Sequence, residues 1–312
     1  SLPRTPMKNE EIRTILRKVR EIEIRTRKLV TDSMAGAYHS SFKGQGMDFE
    51  EVREYTPGDD VRSIDWNVTA RMDHPYVKQF REERELSLLL LVDISASGQY
   101  GSTQQTKREL AAEVASVLAF SAVRNNDKVG VLLFSTHAEQ FIPPKKGRAH
   151  ILRVIREILF HVPEEKGTNI LESLTFLNRA QKRKCLCFLI SDFYQGPNGI
   201  LPTPQEQAHL FQSLAVTNKR HDLLLLKIED PAEHVIPIPG IYHFEDAETG
   251  TLVTCDLRNR KKCQQYAEEK KSQKKAFLHN IRQRGIEILP LQTGEPYIRV
   301  LQRMFEKRAS RP

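Results

Sequence analysis

The run Leu86-Ser87-Leu88-Leu89-Leu90-Leu91-Val92 leads directly into Asp93-Ile94-Ser95-Ala96-Ser97-Gly98. An uninterrupted apolar run this short, closed by small polar residues, predicts a β-strand buried on both faces, as in a parallel sheet. The D-x-S-x-S at its carboxyl end then puts one carboxylate and two hydroxyls on a tight loop, where open α/β sheets usually receive ligands. Hard oxygen donors converging on a loop suit a divalent cation such as Mg²⁺, which keeps waters beside one or two carboxylates. The spacing therefore points to a metal-dependent recognition site.

The flanking sequence supports such a sheet. From residue 81 onward, strand and helix patterns alternate as in βαβ units. Strands are predicted near 86–92, 128–134, 184–191, 222–229 and 285–291, and helices over 104–125, 148–162, 169–181, 205–219, 257–283 and 295–308. Residues 139–142 are expected to add an antiparallel edge strand that Pro143-Pro144 stops. Residues 241–244 and 252–255 flank a turn-rich stretch and read as a β-hairpin inserted near 237–256. Upstream, Ile12, Ile15, Leu16, Val19, Ile22, Leu29 and Val30 recur at helical spacing, so residues 8–31 are expected to form an amphipathic helix. The expected organisation is an N-terminal helix with an Arg/Asp-rich segment over 1–80, followed by a mostly parallel α/β domain over 81–312 carrying the hairpin.

Composition bounds the class. The 312 residues are 39% hydrophobic with a mean hydropathy of −0.49, which fits a chain with a sizeable water-excluding core. Apolar stretches such as 88–92 and 223–226 are far too short to span a bilayer, and the polar stretch Ser1 to Glu10 is not expected to act as a signal peptide. The cysteines, at 185, 187, 255 and 263, form no C-x-x-C, so their spacing argues for neither zinc nor disulfides and a reduced, cytoplasmic setting is expected. Net charge is +8, and residues 256–284 hold ten Lys/Arg against three Asp/Glu. A basic helix there could meet nucleic acid or an acidic partner, but a solvated helix face is the plainer reading.

If Asp93 ends a central strand, further ligands should come from the same sheet edge. Thr168 precedes the helix over 169–181, and Asp192 follows the buried strand ending at Ser191. Asp93, Ser95, Ser97, Thr168 and Asp192 would together supply five side-chain oxygens for one Mg²⁺ or Mn²⁺. This set resembles the metal-ion-dependent adhesion site (MIDAS) of von Willebrand factor A domains, matching its five positions in residue type and chain order. The resemblance covers about residues 81–229 well and 257–308 loosely. It implies a von Willebrand A-like (Rossmann-like) sheet and an ion bound by only two carboxylates, left electrophilic towards an acidic side chain of a protein partner. The plainer alternative is that Asp93, Ser95 and Ser97 cap the next helix and satisfy a turn.

A second unusual stretch runs from Gly44 to Trp66, with Asp48, Glu50, Arg53, Tyr55, Pro57, Gly58, Asp59, Asp60, Arg62, Asp65 and Trp66, and closes at Ala70-Arg71. Pro57-Gly58 suits the centre of a type II turn, and Asp59 or Asp60 can cap a short helical turn beyond it. Arg53, Arg62 and Arg71 are expected to pair with Glu50, Glu54, Asp60 and Asp65, and Trp66 to anchor the segment against the sheet. The stretch is similar to the signature of the bacterial domain-of-unknown-function-58 family, G-x-G-x-D-F-x-E-x-R-x-Y-x-P-G-D-D-x-R-x-I-D-W. Members of that family commonly carry a von Willebrand A-like domain behind the signature and are often encoded beside MoxR-type AAA+ ATPases. The resemblance therefore implies an adaptor or partner of such an ATPase or of its client; the signature residues themselves read equally as a fold-holding polar network or a binding surface.

Catalytic motifs are missing from the sequence. There is no phosphate-binding P-loop, Gly44-Gln45-Gly46 lacks the third glycine of a dinucleotide loop, and no H-E-x-x-H or G-x-S-x-G occurs. The chain is therefore expected not to be an enzyme. Two alternatives stand beside the interaction module. One is a nucleic-acid-binding protein using the basic helix 257–283, where only Tyr266 and Phe277 are available for stacking. The other is a metal-dependent phosphohydrolase of the haloacid dehalogenase type, whose second aspartate is replaced here by Ser95.

Overall fold

The computed structural model describes residues 9–30, 32–42, 47–72, 74–82, 86–165, 167–193, 203–233, 240–245, 252–256, 258 and 260–310. The chain opens with two helices, α1 (Asn9–Leu29), as the helical spacing predicts, and α2 (Asp32–Phe42). Strands β1 (Met47–Glu54) and β2 (Tyr76–Glu82) then pair antiparallel around a loop carrying the four-residue helix α3 (Trp66–Thr69). There follow β3 (Ser87–Asp93), α4 (Lys107–Arg124), β4 (Lys128–Phe134), β5 (Ala138–Lys145), α5 (Arg148–Phe160), α6 (Ile170–Ala180), β6 (Leu186–Ser191), α7 (Pro204–Arg220) and β7 (Asp222–Glu229). A hairpin of β8 (Ile241–Glu245) and β9 (Leu252–Asp256) precedes α8 (Arg260–Gln283), β10 (Glu287–Gln292) and α9 (Ile298–Ala309). The hairpin falls where the sequence placed an insertion; residues 237–239 and 246–251 of that insertion lie outside the described residues.

The main sheet runs β10-β7-β6-β3-β4-β5, parallel throughout except for β5. This is the mixed α/β architecture with a mostly parallel sheet that the sequence predicts. Strand β3 lies between β6 and β4, with successive side chains pointing to opposite layers. Leu88, Leu90 and Val92 join one core with α4, α5 and α9, while Leu89 and Leu91 join the other with α6 and α7. Both layers are closed, which is why the run is apolar without alternation.

Edge strand β5 departs from expectation. It continues through Pro143-Pro144 to Lys145, because an edge strand leaves one row of N–H positions unused. The ladder is irregular there, with Val129 opposite Lys145 and Val131 opposite Ile142. Gly130 makes the close approach possible: a Cβ at that position would sit 2.8 Å from both the Ile142 carbonyl and the Pro144 nitrogen.

Between 32 and 80 the sequence predicts only a turn at Pro57-Gly58 and a short helical turn beyond it, which forms at Val61–Ser63; it does not predict α2 or the β1–β2 ribbon. Helix α2 belongs to the sheet's own core: Met34, Tyr38 and Phe42 are buried beside Val19 and Ile22 of α1. Phe42 packs edge-on against Phe188 of β6 and Phe305 of α9, and the Arg308 guanidinium lies 4.9 Å over its ring. The ribbon's polar contacts are local. Arg53 forks onto Asp59, Asp60 caps the turn at Val61–Ser63, and Asp65 caps α3 while pairing with Lys78. Arg53 takes Asp59, which was not among its expected partners, and the Arg53 fork and the Thr56 donors hold the Asp59 carboxyl far below the usual range. Trp66 does not anchor the segment to the sheet, being 67% exposed.

Docking of α2 gives a direct expectation. Phe42→Ala leaves a void between three aromatic neighbours and should cost about 3–5 kcal/mol in urea unfolding of the full chain. A loss below about 1 kcal/mol, the range of surface substitutions, would contradict the packing of α2 into the core.

Candidate metal centre

Chain direction reverses at β3. The next strand, β4, is added on one side and the later β6 on the other, so the carboxyl end of β3 is the switch point where α/β sheets form crevices. Asp93 is the last residue of β3 and is 8% exposed. Ile94 continues the ladder by donating its N–H to the Phe134 carbonyl at 2.9 Å, which turns the chain so that Ser95 and Ser97 follow on a loop and short 3₁₀ turn. Asn169 N–H donates to the Ser135 carbonyl at 2.8 Å and holds the Thr168 loop beside the end of β4.

Four of the five expected residues meet around Asp93. The Ser95 N–H donates to Asp93 Oδ1 at 3.0 Å, and the Thr168 hydroxyl donates to Oδ2 at 3.4 Å. Ser95 Oγ and Ser97 Oγ are 3.1 Å apart. The cap half of the plainer alternative fails, since α4 is capped by Thr106 and Glu109 in a reciprocal capping box and Ser95 makes no side-chain cap; the turn half holds, since the Ser95 N–H donates to the Asp93 side chain two residues back. Ser191, unremarked in the sequence, donates the shortest of these bonds to Asp93 Oδ2, at 2.6 Å. Its oxygen also accepts from the N–H of Phe193, a bulky residue at φ 56 whose ring packs on Phe277. Left-handed backbone at such a residue costs of order 1–3 kcal/mol and marks a turn held by its surroundings.

Asp192, the fifth residue, is close enough to influence Asp93 electrostatically, but its carboxylate is gripped by a lysine. Lys107, first residue of α4 and 4% exposed, donates to Asp192 Oδ2 at 2.7 Å and to Glu233 Oε1 at 2.6 Å. Burial alone would depress the ammonium, yet the two carboxylates hold its pKa above the ordinary lysine value. The neighbouring Arg108 is pushed down to about 10 by burial, against the pull of Asp93; its guanidinium donates to the carbonyls of Ile158, at 2.8 Å, and His161. Burial first, then the charge of Asp192, raises the Asp93 carboxyl to about 6, partly opposed by the Ser191 and Ser95 donors. On the far side, Asp230, fully buried after β7, accepts from Ser102 and from Thr293 at 2.6 Å and ties down the loop before α4.

These donors suit a hard divalent ion. Metal–oxygen bonds of 2.0–2.1 Å at right angles put adjacent ligand oxygens about 3 Å apart, the separation of the two serine hydroxyls. Burial penalises the Asp93 carboxylate, so a cation beside it would favour the ionised form, and Thr168 lies beside it. Asp192, which shares Lys107 with Glu233, keeps part of its negative charge at the rim. The signature residues map elsewhere: Asp48 and Glu50 lie on β1, while Tyr55, Pro57, Gly58, Asp59, Asp60, Arg62, Asp65, Trp66 and Arg71 follow on the loop of the ribbon, and 43–46 lies outside the described residues. In the basic helix, Lys274 pairs with Glu229 and Phe277 packs between Phe193 and Phe211; nothing of the Tyr266 side chain is described.

Two outcomes follow for the metal-free protein. A carboxyl whose pKa is raised on folding stabilises the fold below its unfolded pKa, and that stabilisation is lost as pH climbs through the folded value. In chelator, the wild type should therefore lose stability relative to Asp93→Asn between about pH 4 and about pH 6 in urea titrations; a stability difference that does not change across that window would contradict the buried seat. Lys107→Met strands two carboxylates and should lose about 3–5 kcal/mol, with partial recovery on adding Asp192→Asn; a loss below about 1 kcal/mol would contradict the buried clamp.

The sequence matches a known family and several relatives. The family described as "Protein of unknown function DUF58" matches residues 51–276. An uncharacterised protein of Mycobacterium bovis, Mb1516, and one of Mycobacterium tuberculosis, Rv1480, are each 30% identical over 236 residues, covering 75% of this chain and 71% of theirs. Among solved structures, the conserved hypothetical protein BatB from Bacteroides thetaiotaomicron is 16% identical with a TM-score of 0.42, covering 72% of this chain and 100% of that one. The VWA domain of SpRpn10 is 11% identical with a TM-score of 0.38, covering 70% of this chain and 93% of that one.

Proposed function

This chain belongs to the DUF58 family, and we propose that it is a protein-interaction module that takes an acidic side chain of its partner through a divalent cation, Mg²⁺ or Mn²⁺. The ion would be held by Asp93, Ser95, Ser97 and Thr168, with Asp192 beside it. The observation that carries this reading is the 3.1 Å spacing of the Ser95 and Ser97 hydroxyls next to a buried carboxylate at the sheet's switch point. The ion supplies an electrophilic position for a carboxylate. Ser191 and the Ser95 N–H orient Asp93, and Lys107 restrains Asp192 and Glu233 together, so part of the acidic charge around the ion is already offset by an ammonium. Such a site attracts a further anion, whereas a cluster of uncompensated acids would repel one.

The partner proposed from the family resemblance is a MoxR-type AAA+ ATPase or its client. The ribbon offers a second contact, since Val61, Trp66 and Met72 are each more than half exposed and exposed aromatic residues are favoured anchors at interfaces. The nucleic-acid alternative is less well supported, because Phe277 is engaged by two phenylalanines and Lys274 by Glu229. The phosphohydrolase alternative needs an acid where Ser95 Oγ faces Ser97. Among the described residues no helix is long and apolar enough to cross a membrane.

Calorimetric titration should show one Mg²⁺ or Mn²⁺ site that Asp93→Ala abolishes. Partner capture should be lost in chelator and in Asp192→Ala but only reduced by high salt in Mg²⁺, because attraction to phosphates alone falls steeply with salt. Capture that survives chelator and vanishes in salt would overturn the proposal in favour of the basic helix.

A further inference from the structure

At the opposite, amino-terminal edge of the sheet lies a cluster that the acid-binding reading does not use. Cys185 immediately precedes β6 and Cys187 is its second residue, so both thiols point to the same face. His221 immediately precedes the neighbouring parallel strand β7, and the Asp222 N–H donates to the Cys185 carbonyl at 3.0 Å, fixing the two strand starts side by side. Cys185 Sγ lies 3.3 Å from Cys187 Sγ and 3.4 Å from His221 Nδ1. One ligand atom from each of the three residues falls within 4.8 Å of the other two. Their exposures are 4%, 0% and 1%.

From this arrangement we infer that Cys185, Cys187 and His221 form a site for one soft or borderline divalent ion, with Zn²⁺ the chemical match. Two thiolates and a neutral imidazole cancel the charge of Zn²⁺, so the loaded site is neutral where it borders Leu223, Leu225 and Ile286. A monovalent ion would leave a buried negative charge. Zinc–sulfur bonds of about 2.3 Å in a tetrahedron separate two sulfurs by about 3.8 Å, so the thiols need open by only about half an ångström. The imidazole is not buried to serve another network: among the described residues its Nε2 has no hydrogen-bond partner.

The environment also prepares one ligand. The Cys187 thiol and then the His221 ring, working against burial, hold Cys185 below its usual range, while burial pushes Cys187 up. Uptake of the ion displaces the remaining thiol protons to solvent, while the neutral imidazole binds through a ring-nitrogen lone pair. A cavity of about 250 Å³ reaches the cluster at His221, lined also by Lys184, Asn218, Asp222 and Arg308. A disulfide suits the site less well, because residues two apart on an extended strand have Cα atoms at the upper limit for bridging.

The test uses the full chain, stripped with chelator under reducing conditions and titrated with Co²⁺. One equivalent should produce thiolate-to-cobalt charge-transfer bands in the near ultraviolet with intense tetrahedral bands in the visible, and one equivalent of Zn²⁺ should bleach them. Cys187→Ser should abolish the charge-transfer bands and His221→Gln should weaken binding at least about tenfold. Asp93→Ala should leave the bands intact, which separates this site from the oxygen site at the other edge. Wild-type protein that is folded by circular dichroism and gives no such bands overturns the inference, whether or not the variants fold. Bands that persist in a folded Cys185→Ala, Cys187→Ala double variant overturn it too.

Discussion

Burial of β3 on both faces is the constraint on which the rest depends. Leu88 to Val92 are fully enclosed, so the residue that ends the strand is drawn into the same low-dielectric layer. A carboxylate there is costly unless donors and positive charge surround it. The Ser95 N–H and the hydroxyls of Ser191 and Thr168 provide donors, and Arg108 and Lys107 provide charge nearby. Even so the Asp93 carboxyl rises to about 6. The seat is thus held short of full compensation, as a site that gains by taking up a cation should be.

The N-terminal region divides its labour. Helices α1 and α2 complete a core layer: Arg25 pairs with Glu113 of α4, the Tyr297 hydroxyl donates to Glu113 at 3.2 Å, and Phe42 is enclosed by Phe188 and Phe305. The ribbon of β1 and β2 instead uses its charged residues on its own turns, through Arg53–Asp59 and Asp65–Lys78. That local use leaves Trp66 facing solvent. The dense signature is therefore a small structure with its own polar frame.

Much of the sheet was legible because its signals are local. Continuous apolar runs such as 88–92 and 223–226 mark strands closed on both sides, and D-x-S-x-S marks a loop at a strand end without knowledge of its neighbours. Thr168 and Asp192 were found by applying the same rule to later strands. The same rule applied to Glu229-Asp230 would have found Asp230, and Ser191 sat unread one residue before Asp192. Lys107 gave no such signal: beside a helix cap it resembles any surface lysine, and only the crossover that brings β6 beside β3 makes it the partner of Asp192. Helix α2 was hidden because Gly36, Ser40 and Ser41 dilute its apolar pattern, and the ribbon because its strands carry charge on most positions. Pro143-Pro144 misled for the opposite reason, since a rule for central strands does not bind an edge strand.

The most direct measurement is the anomalous scattering of Mn²⁺ in crystals of the full chain grown with the ion. The account expects one strong peak within bonding distance of Ser95 Oγ, Ser97 Oγ and the Asp93 carboxylate, with Lys107 still on Asp192. Crystals saturated with Mn²⁺ that show no peak at that edge, with the two serine hydroxyls still 3.1 Å apart, would contradict it.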